Sequence, residues 1–376
     1  MRIAMLIRRF NPAGGGTERD FAAAADCLSQ AGHDVRIYAA RCTATTPWHG
    51  MAVRRLPFAG LTRSLEAIGF GLLAARFARR DGSGLTLSFG RSVDSDLIRC
   101  EGGAHAAYLA AARQWESRAA SAARAMSPYH IAQCRIEAAG FRSPKLRMVL
   151  AISRLVGDDL ERRFAIPRCK IHTLYNGVDH QRFKPAPDAR LRAEVRRHLG
   201  IDPSSPLVLF VGSGYARKGA GQLIQAWPML RGNPHLAVAG EDRAVGFYRR
   251  MARRLRVDDR VAFLGRRNDI AQLVAAADVV ALPSLFEAFG NVVLEGMAAG
   301  KPVLTSARCG AAEVLPPPMQ PYIVQDPMNP AEIAQRLQAL LAAPAELGAI
   351  LRAAAQPFTW QRYGARLVEL IERAAR

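Results

Sequence analysis

Short apolar runs separated by polar, glycine-containing breaks recur along the chain, and their spacing predicts alternating strands and helices. Residues 2–7 read as a strand, 11–17 as a glycine-rich loop, 18–30 as a helix stopped by Gly32, and 34–39 as a second strand. This is the βαβ start of a parallel sheet. The pattern weakens between Arg41 and Arg142, where it predicts strands near 52–57 and 85–89 and long helices over 61–79 and 106–125. It returns with strands at 148–153 and 171–175 around a helix at 155–164. Asn176-Gly177-Val178-Asp179 then marks a sharp turn, and Pro185, Pro187, Pro203 and Pro206 punctuate the next stretch, where a domain boundary is expected.

A second alternation follows. It runs strand 207–211, loop 212–219, helix 221–230, strand 235–239, helix 245–255, strand 261–264, helix 270–276 and strand 279–282. Loop 283–290, helix 292–299 and the short strand 303–305 complete it. The economical reading is α/β, with two Rossmann-like doubly wound domains at 1–182 and 183–356 and a last helix, 357–376, packing back on the first. Ligands of such sheets bind at the carboxyl ends of the strands, so a cleft between two facing domains is the expected active site.

Composition narrows the class. A chain of 376 residues exceeds the size at which one core keeps growing, and half of its residues are hydrophobic with 22% charged, which suits two globular domains. The longest uncharged apolar stretch, 67–75, is closed by Glu66 and Arg76 and is too short to span a bilayer. The six cysteines are scattered without CxxC or metal-ligand spacing, and residues 1–7 lead into a strand without a long apolar segment before it. A cytoplasmic location is the expectation. The formal charge is +20; residues 1–184 hold 28 basic and 15 acidic side chains, the remainder 24 and 17. Such a field attracts nucleic acid, acidic lipid headgroups or phosphorylated substrates alike, and equally describes an arginine-rich solvated surface. No helix-turn-helix, zinc-finger or aromatic RNP pattern accompanies it, so nucleic acid is not an expected partner.

Three loops at strand ends carry candidate chemistry. In Ala13-Gly14-Gly15-Gly16-Thr17-Glu18-Arg19-Asp20, glycines let backbone N–H groups approach an anion at a helix start, though the same residues also make a simple tight turn. In Gly212-Ser213-Gly214-Tyr215-Ala216-Arg217-Lys218-Gly219, adjacent Arg217 and Lys218 either neutralise a diphosphate or decorate a solvated turn. In Glu287-Ala288-Phe289-Gly290-Asn291-Val292-Val293-Leu294-Glu295, two carboxylates flank a helix start, suited to paired sugar hydroxyls with N–H groups between them for a phosphate. Taken alone, acids at that position merely complement the helix dipole.

Together, and in this order, the loops resemble those of the retaining GT-B glycosyltransferases of glycosyltransferase family four, over nearly the whole chain and most specifically from Val211 to Gly310. Gly15-Gly16-Thr17-Glu18-Arg19-Asp20-Phe21, Arg217-Lys218-Gly219, Arg267-Asn268-Asp269, Ala275-Ala276-Ala277-Asp278 and Pro302-Val303-Leu304-Thr305 are most similar to the lipopolysaccharide core glucosyltransferase group. The resemblance implies that Glu295 holds ribose hydroxyls and Glu287 the transferred hexose, with backbone contacts from Phe289, Gly290 and Asn291. Arg217 and Lys218 would bind the diphosphate, Gly15 and Gly16 approach it, and Arg267 neighbour the base.

It further implies retention at the anomeric carbon, UDP-glucose as first donor, and a saccharide or lipid-linked saccharide acceptor. No cofactor or metal is expected; Asp94-Ser95-Asp96, the nearest approach to a DxD motif, lies outside the donor-binding half. Many such enzymes present His or Asp beside the transferred sugar, whereas Arg99-Cys100-Glu101-Gly102-Gly103-Ala104-His105 has Gly where Asp is usual. His105 is the substitute candidate, with Glu101 and Asp20 as acceptor-side alternatives. Another family-four hexosyltransferase of cell-envelope glycan or glycolipid synthesis is the alternative, and a GT-B-fold nucleotide-sugar epimerase a more distant one, disfavoured by the E-x7-E pattern beside Arg217-Lys218. Finally, residues 108–134 interleave Arg113, Arg118 and Arg124 with Tyr108, Trp115, Met126 and Tyr129, a mixture suited to an anionic membrane surface as well as to an ordinary packed helix.

Overall fold

The computed structural model describes the chain except Ala13, Thr45, Thr46, Ala59, Gly60, Leu61, Pro187 and the side chain of Arg63. The first residue of the opening glycine loop, the predicted start of helix 61–79 and one boundary proline therefore lie outside the described residues. Two compact units form: Met1–Gly177 with Trp360–Arg376, and Val178–Thr359. The crossings fall at Gly177 and Thr359 rather than 182 and 356. Val178 donates its N–H to the Phe358 carbonyl at 2.9 Å, and Val178 and Phe183 are both buried, which ties these linker residues to the second unit.

The first unit is built on seven parallel strands, β1 (Arg2–Phe10), β2 (Asp34–Cys42), β3 (Ala52–Arg55), β4 (Leu85–Ser88), β5 (Leu97–Cys100), β6 (Met148–Ala151) and β7 (Ile171–Thr173). Their order is β3-β2-β1-β4-β5-β6-β7, so the winding reverses between β1 and β4. Strand β1 is apolar on both faces because both are covered: Ile3, Met5 and Ile7 enter one core, Ala4 and Leu6 the other. The C-terminal helix Trp360–Ala375 sends Tyr363, Leu367, Leu370 and Ile371 into the first of these cores, against Phe21 and Leu28 of helix Gly16–Gln30. These helices approach closely at Gly364, where an added Cβ would stand 2.5 Å from Cys27 Sγ.

Two stretches of the first unit differ from the sequence pattern. The single helix expected over 106–125 is two, His105–Ala112 and Arg118–Ala125, because Ser117 caps a new start by accepting the Ala120 N–H at 3.2 Å. Strand β5 and helix Pro128–Phe141 were not predicted; β5 is four residues long with an arginine inside it, and so lacks a recognisable apolar run.

The second unit has five parallel strands, β8 (Leu207–Val211), β9 (His235–Ala239), β10 (Val261–Gly265), β11 (Val279–Leu282) and β12 (Val303–Thr305), in the order β10-β9-β8-β11-β12. Each unit is thus a Rossmann-like doubly wound sheet with its own switch point. Among the described residues no single helix is long and apolar enough to cross a membrane.

Candidate functional site

In the second unit the loops leaving β8 and β11 are drawn together. Gly212 (φ 142°) and Gly240 (φ 137°) end β8 and β9, and a Cβ on Gly240 would lie 2.3 Å from the Gly212 carbonyl oxygen, so only glycine fits there. The Lys218 side chain runs back over Gly212, whose added Cβ would meet its Cδ and Cε at 2.7 Å. Gly219 (φ 78°) abuts the Pro283 carbonyl on the other loop. The Arg217 carbonyl accepts the Leu285 N–H at 2.8 Å, and Arg217 Nη1 donates to the Phe286 carbonyl at 2.9 Å.

These backbone contacts set one carboxylate between two cations. Glu287 Oε2 is 2.6 Å from Lys218 Nζ and 2.8 Å from Arg217 Nη1. Burial alone would push the Glu287 carboxyl up, but the charges of Lys218 and Arg217 and their hydrogen bonds hold it below the ordinary glutamate value. These three groups together carry one unit of positive charge at the carboxyl end of β8, the end at which doubly wound sheets bind their ligands.

The same loop then enters helix Asn291–Ala298 through Gly290 (φ 92°), where a Cβ would collide with Cys309 Sγ and Leu282 Cδ2 at 2.9 Å. The Phe289 ring is buried and its carbonyl is already taken by the Ala311 N–H (2.8 Å) and the Cys309 thiol (2.9 Å). Phe289 therefore shapes the loop through its buried ring and its carbonyl. Glu295 lies in this helix, beyond Asn291. Arg267 stands apart at the exit of β10, two strands from β8, paired with Asp269 at 2.8 and 2.5 Å. Gly240 and Cys309, which fix the loop geometry, were missed by sequence reasoning; the first is a lone glycine after a strand, the second a lone cysteine.

In the first unit, Gly15 precedes helix Gly16–Gln30 with extended backbone (φ −75°, ψ −165°). Asp20 on this helix meets Glu101 in a buried polar cluster built around Arg99, which is 1% exposed. Arg99 donates Nη1 to the Leu174 carbonyl and Nη2 to Asn176 Oδ1, both at 2.6 Å, pairs with Glu101 through Nε, and lies 5.6 Å from the centre of the Tyr363 ring. Asn176 Nδ2 donates to Asp20 Oδ2 at 2.6 Å. Burial, then the charge of Glu101 and a hydrogen bond with it, raise the Asp20 carboxyl well above its ordinary value despite Arg99. Two carboxylates thus crowd beside one guanidinium, and Asp20 is the one that burial and its neighbour push up.

Glu101 also lines a cavity of about 330 Å3 at the carboxyl ends of β1, β4 and β5, with Arg8, Arg9, Thr17, Glu18 and Arg91. Asp20 does not line it. His105 is not part of this cluster: its backbone N–H donates to both oxygens of Glu137 (2.9 and 2.8 Å), and its Nε2 is 2.9 Å from His130 Nδ1. Burial, with the charges of Arg91, His130 and Arg124, pushes its imidazole down to about 3, so it is neutral near pH 7. Arg99, Asn176 and Tyr363 are the participants the sequence reading did not assign; the available signal was an arginine inside the short apolar run Leu97-Ile98-Arg99-Cys100.

Two family models divide the chain. Residues 14–182 match Glycosyltransferase Family 4, and residues 192–356 match Glycosyl transferases group 1. The lipopolysaccharide glucosyltransferase WaaG of Escherichia coli K12 is 26% identical over 91% of this chain and 90% of its own. A crystal structure of WaaG, a glycosyltransferase involved in lipopolysaccharide biosynthesis, superposes with a TM-score of 0.76 at 25% identity, covering 99% of this chain and 98% of that one. An uncharacterized glycosyltransferase, MJ1607 of Methanocaldococcus jannaschii, is 33% identical over 50% of this chain; here the match spans 48% of the relative's length.

Proposed function

The chain belongs to the GT-B glycosyltransferases, a Family 4 half followed by a group 1 half, and from that premise we propose that it moves a hexose, glucose in the first instance, from UDP-glucose to a saccharide of the lipopolysaccharide-core kind. The observation that carries this reading is the Arg217–Glu287–Lys218 constellation at the end of β8. A diphosphate arriving there meets two fixed cations with one carboxylate between them. As the bond from the anomeric carbon to the diphosphate oxygen breaks, charge grows on the leaving group where these cations already stand, and little reorganisation is needed.

In the same reading Glu287 accepts hexose hydroxyls, Glu295 accepts those of the ribose, and N–H groups at Gly290 and Asn291 face sugar and phosphate. Arg267 flanks the base, and Gly15 and Gly16 open the first helix of the first unit. The acceptor hydroxyl attacks the anomeric carbon from the face the leaving group departs, its proton passes to the leaving phosphate oxygen, and configuration is retained. No metal ion takes part. The cavity lined by Glu101 receives the acceptor, and Asp20 holds Glu101 from outside it; neutral His105 positions helix His105–Ala112 and carries no proton to the reaction.

The first unit also offers an anionic membrane a surface at the cytoplasmic face. Arg113 and Arg118 are exposed, as are Met126 (77%) and Ile131 (40%). Arg124 does not contribute, because it is held by Glu116 and lies over the Tyr108 ring.

A hydrolysis and transfer screen over UDP-, GDP- and ADP-sugars tests the assignment. Turnover of UDP-glucose with retained configuration, lost in Lys218→Ala, is the expected result. Turnover of none of these donors, or turnover indifferent to Lys218→Ala, overturns it.

A further inference from the structure

A second cationic pocket lies at the other end of the same sheet, where β8, β11 and β12 begin. It encloses about 480 Å3, and Arg192, Arg196 and Lys301 line it against one acid, Asp278. The five-residue strand β8 separates it from the Gly212–Gly219 loop by roughly 15 Å of extended chain.

Arg196 is committed to the fold. It is 3% exposed, and its guanidinium donates to the carbonyls of Pro203 and Ser205 (2.8 Å each) and Ala276 (3.2 Å) and to Asp278 Oδ2 (2.7 Å). Asp278 is committed as well: Oδ2 also accepts the Leu207 N–H at 2.7 Å, and Oδ1 pairs with Arg192 Nη2. What remains is the rest of the Arg192 guanidinium, 40% exposed, and the Lys301 ammonium, which has no acceptor among the described residues. Burial and repulsion by Arg192 and Arg196 outweigh the pull of Asp278 and bring this ammonium down to about 8.

Three cations against one carboxylate leave two positive charges. The carboxyl end of helix Pro330–Leu341 reaches the pocket through Leu340 and Leu341, but a helix end supplies only about half a negative charge. The excess of about one and a half positive charges matches an anion that carries between one and two negative charges near neutral pH, as a phosphate monoester does. Its other wall is apolar, made by Pro203, Pro206, Pro302, Leu340 and Pro344, and the space exceeds that of a single oxyanion.

We propose that this pocket binds a small phosphate monoester, its phosphate on Lys301 Nζ and the open edge of Arg192 and its organic part against the proline-lined wall. The guanidinium matches phosphate geometry and the ammonium supplies a point charge. Because Asp278 joins Arg192 to the first N–H of β8, the ligand is an effector acting at the root of the strand that carries Arg217 and Lys218, and the proposal stands whatever sugar that end transfers.

Competitive acetylation of the full chain with limiting acetic anhydride, followed by peptide mass mapping, reads the site directly. Glucose 6-phosphate should protect Lys301 at least fivefold in a saturable way while Lys184 is unaffected, and glucose should not. Inorganic phosphate should protect at concentrations at least tenfold higher. Arg192→Gln should raise the half-saturating concentration at least tenfold, and Lys301→Gln should abolish the rise in Tm that glucose 6-phosphate gives in the presence of saturating UDP. Equal half-saturation by phosphate and its ester would make free phosphate the ligand and overturn the monoester assignment. Absence of protection by either, or a Tm rise undiminished in Lys301→Gln, would overturn the site.

Discussion

Lys218 and Glu287 lie 69 positions apart in the chain and meet at 2.6 Å, because Gly219 can press against the Pro283 carbonyl and the Arg217 carbonyl binds the N–H groups of Leu285 and Phe286. A basic loop and an acidic loop thereby become one site. Lys218→Ala and Glu295→Ala should each lower transfer at least ~100-fold, since one charge-assisted transition-state contact is worth about 3 kcal/mol. Glu287→Ala should impair transfer but leave UDP binding intact. If Glu287→Ala abolishes UDP binding in calorimetry and Glu295→Ala does not, the roles of the two acids are exchanged.

The same ion pair predicts a pH dependence of stability. The folded Glu287 carboxyl is held below its ordinary value of 4.5, so its stabilising contribution is complete above that pH and is lost as pH falls through the lower folded value. Thermal unfolding of Glu287→Gln should begin at a lower Tm than the parent at pH 7, and the two curves should converge as pH drops below 4.5. A constant gap across that window would show that the carboxylate is not the group responsible.

Asp20 has the opposite sign. Its folded value is raised, so its contribution is present below the ordinary 3.8 and is lost as pH rises through the folded value. Asp20→Asn keeps an oxygen for Asn176 Nδ2 and removes the titration, so its Tm should vary less with rising pH than the parent's. Arg99→Ala, by contrast, leaves Asp20 and Glu101 buried without their cation and should cost about 3–5 kcal/mol in denaturant unfolding.

The sheets were legible in the sequence because each strand of the second unit is a compact β-branched or apolar run, as in Leu207–Val211 and Val279–Leu282. The loops stood out by their glycines, adjacent cations and spaced acids, and a family resemblance joined them; that Lys218 and Glu287 pair is read only from the fold. What escaped was determined by contacts distant in sequence. Arg99 reads as a strand breaker until Leu174, Asn176 and Tyr363 surround it. His105 was a candidate by position, but only the fold shows its ring buried against His130. Helix 106–125 read as continuous because alanine spacing does not reveal that Ser117 begins a second helix.

Chelation tests the electrostatic reading of the reaction. If Arg217 and Lys218 meet the charge on the leaving diphosphate, EDTA should change turnover less than twofold, while added salt should raise KM for the donor. A strict Mn2+ or Mg2+ requirement, restored on titration, would contradict a reaction run by the cationic pair alone.

Membrane association is tested by co-sedimentation with vesicles. Within 108–134, Arg124 is neutralised by Glu116 at 2.9 Å, which leaves Arg113 and Arg118 exposed beside Met126 and Ile131. Each cation near an anionic surface contributes about 1 kcal/mol and is screened by salt. Binding should therefore require anionic lipid, weaken as salt rises, and fall roughly thirtyfold, about 2 kcal/mol, when Arg113 and Arg118 are both changed to Gln. Arg124→Gln should instead disturb the local fold through loss of its Glu116 and Tyr108 contacts, visible as a lower Tm, with no direct loss of lipid affinity. Met126→Ser separates the apolar contribution: if insertion at the headgroup boundary matters, affinity drops even at low salt, where the arginines act most strongly. Equal binding to neutral vesicles, or binding to neither kind, would remove this surface from the account of where the enzyme works.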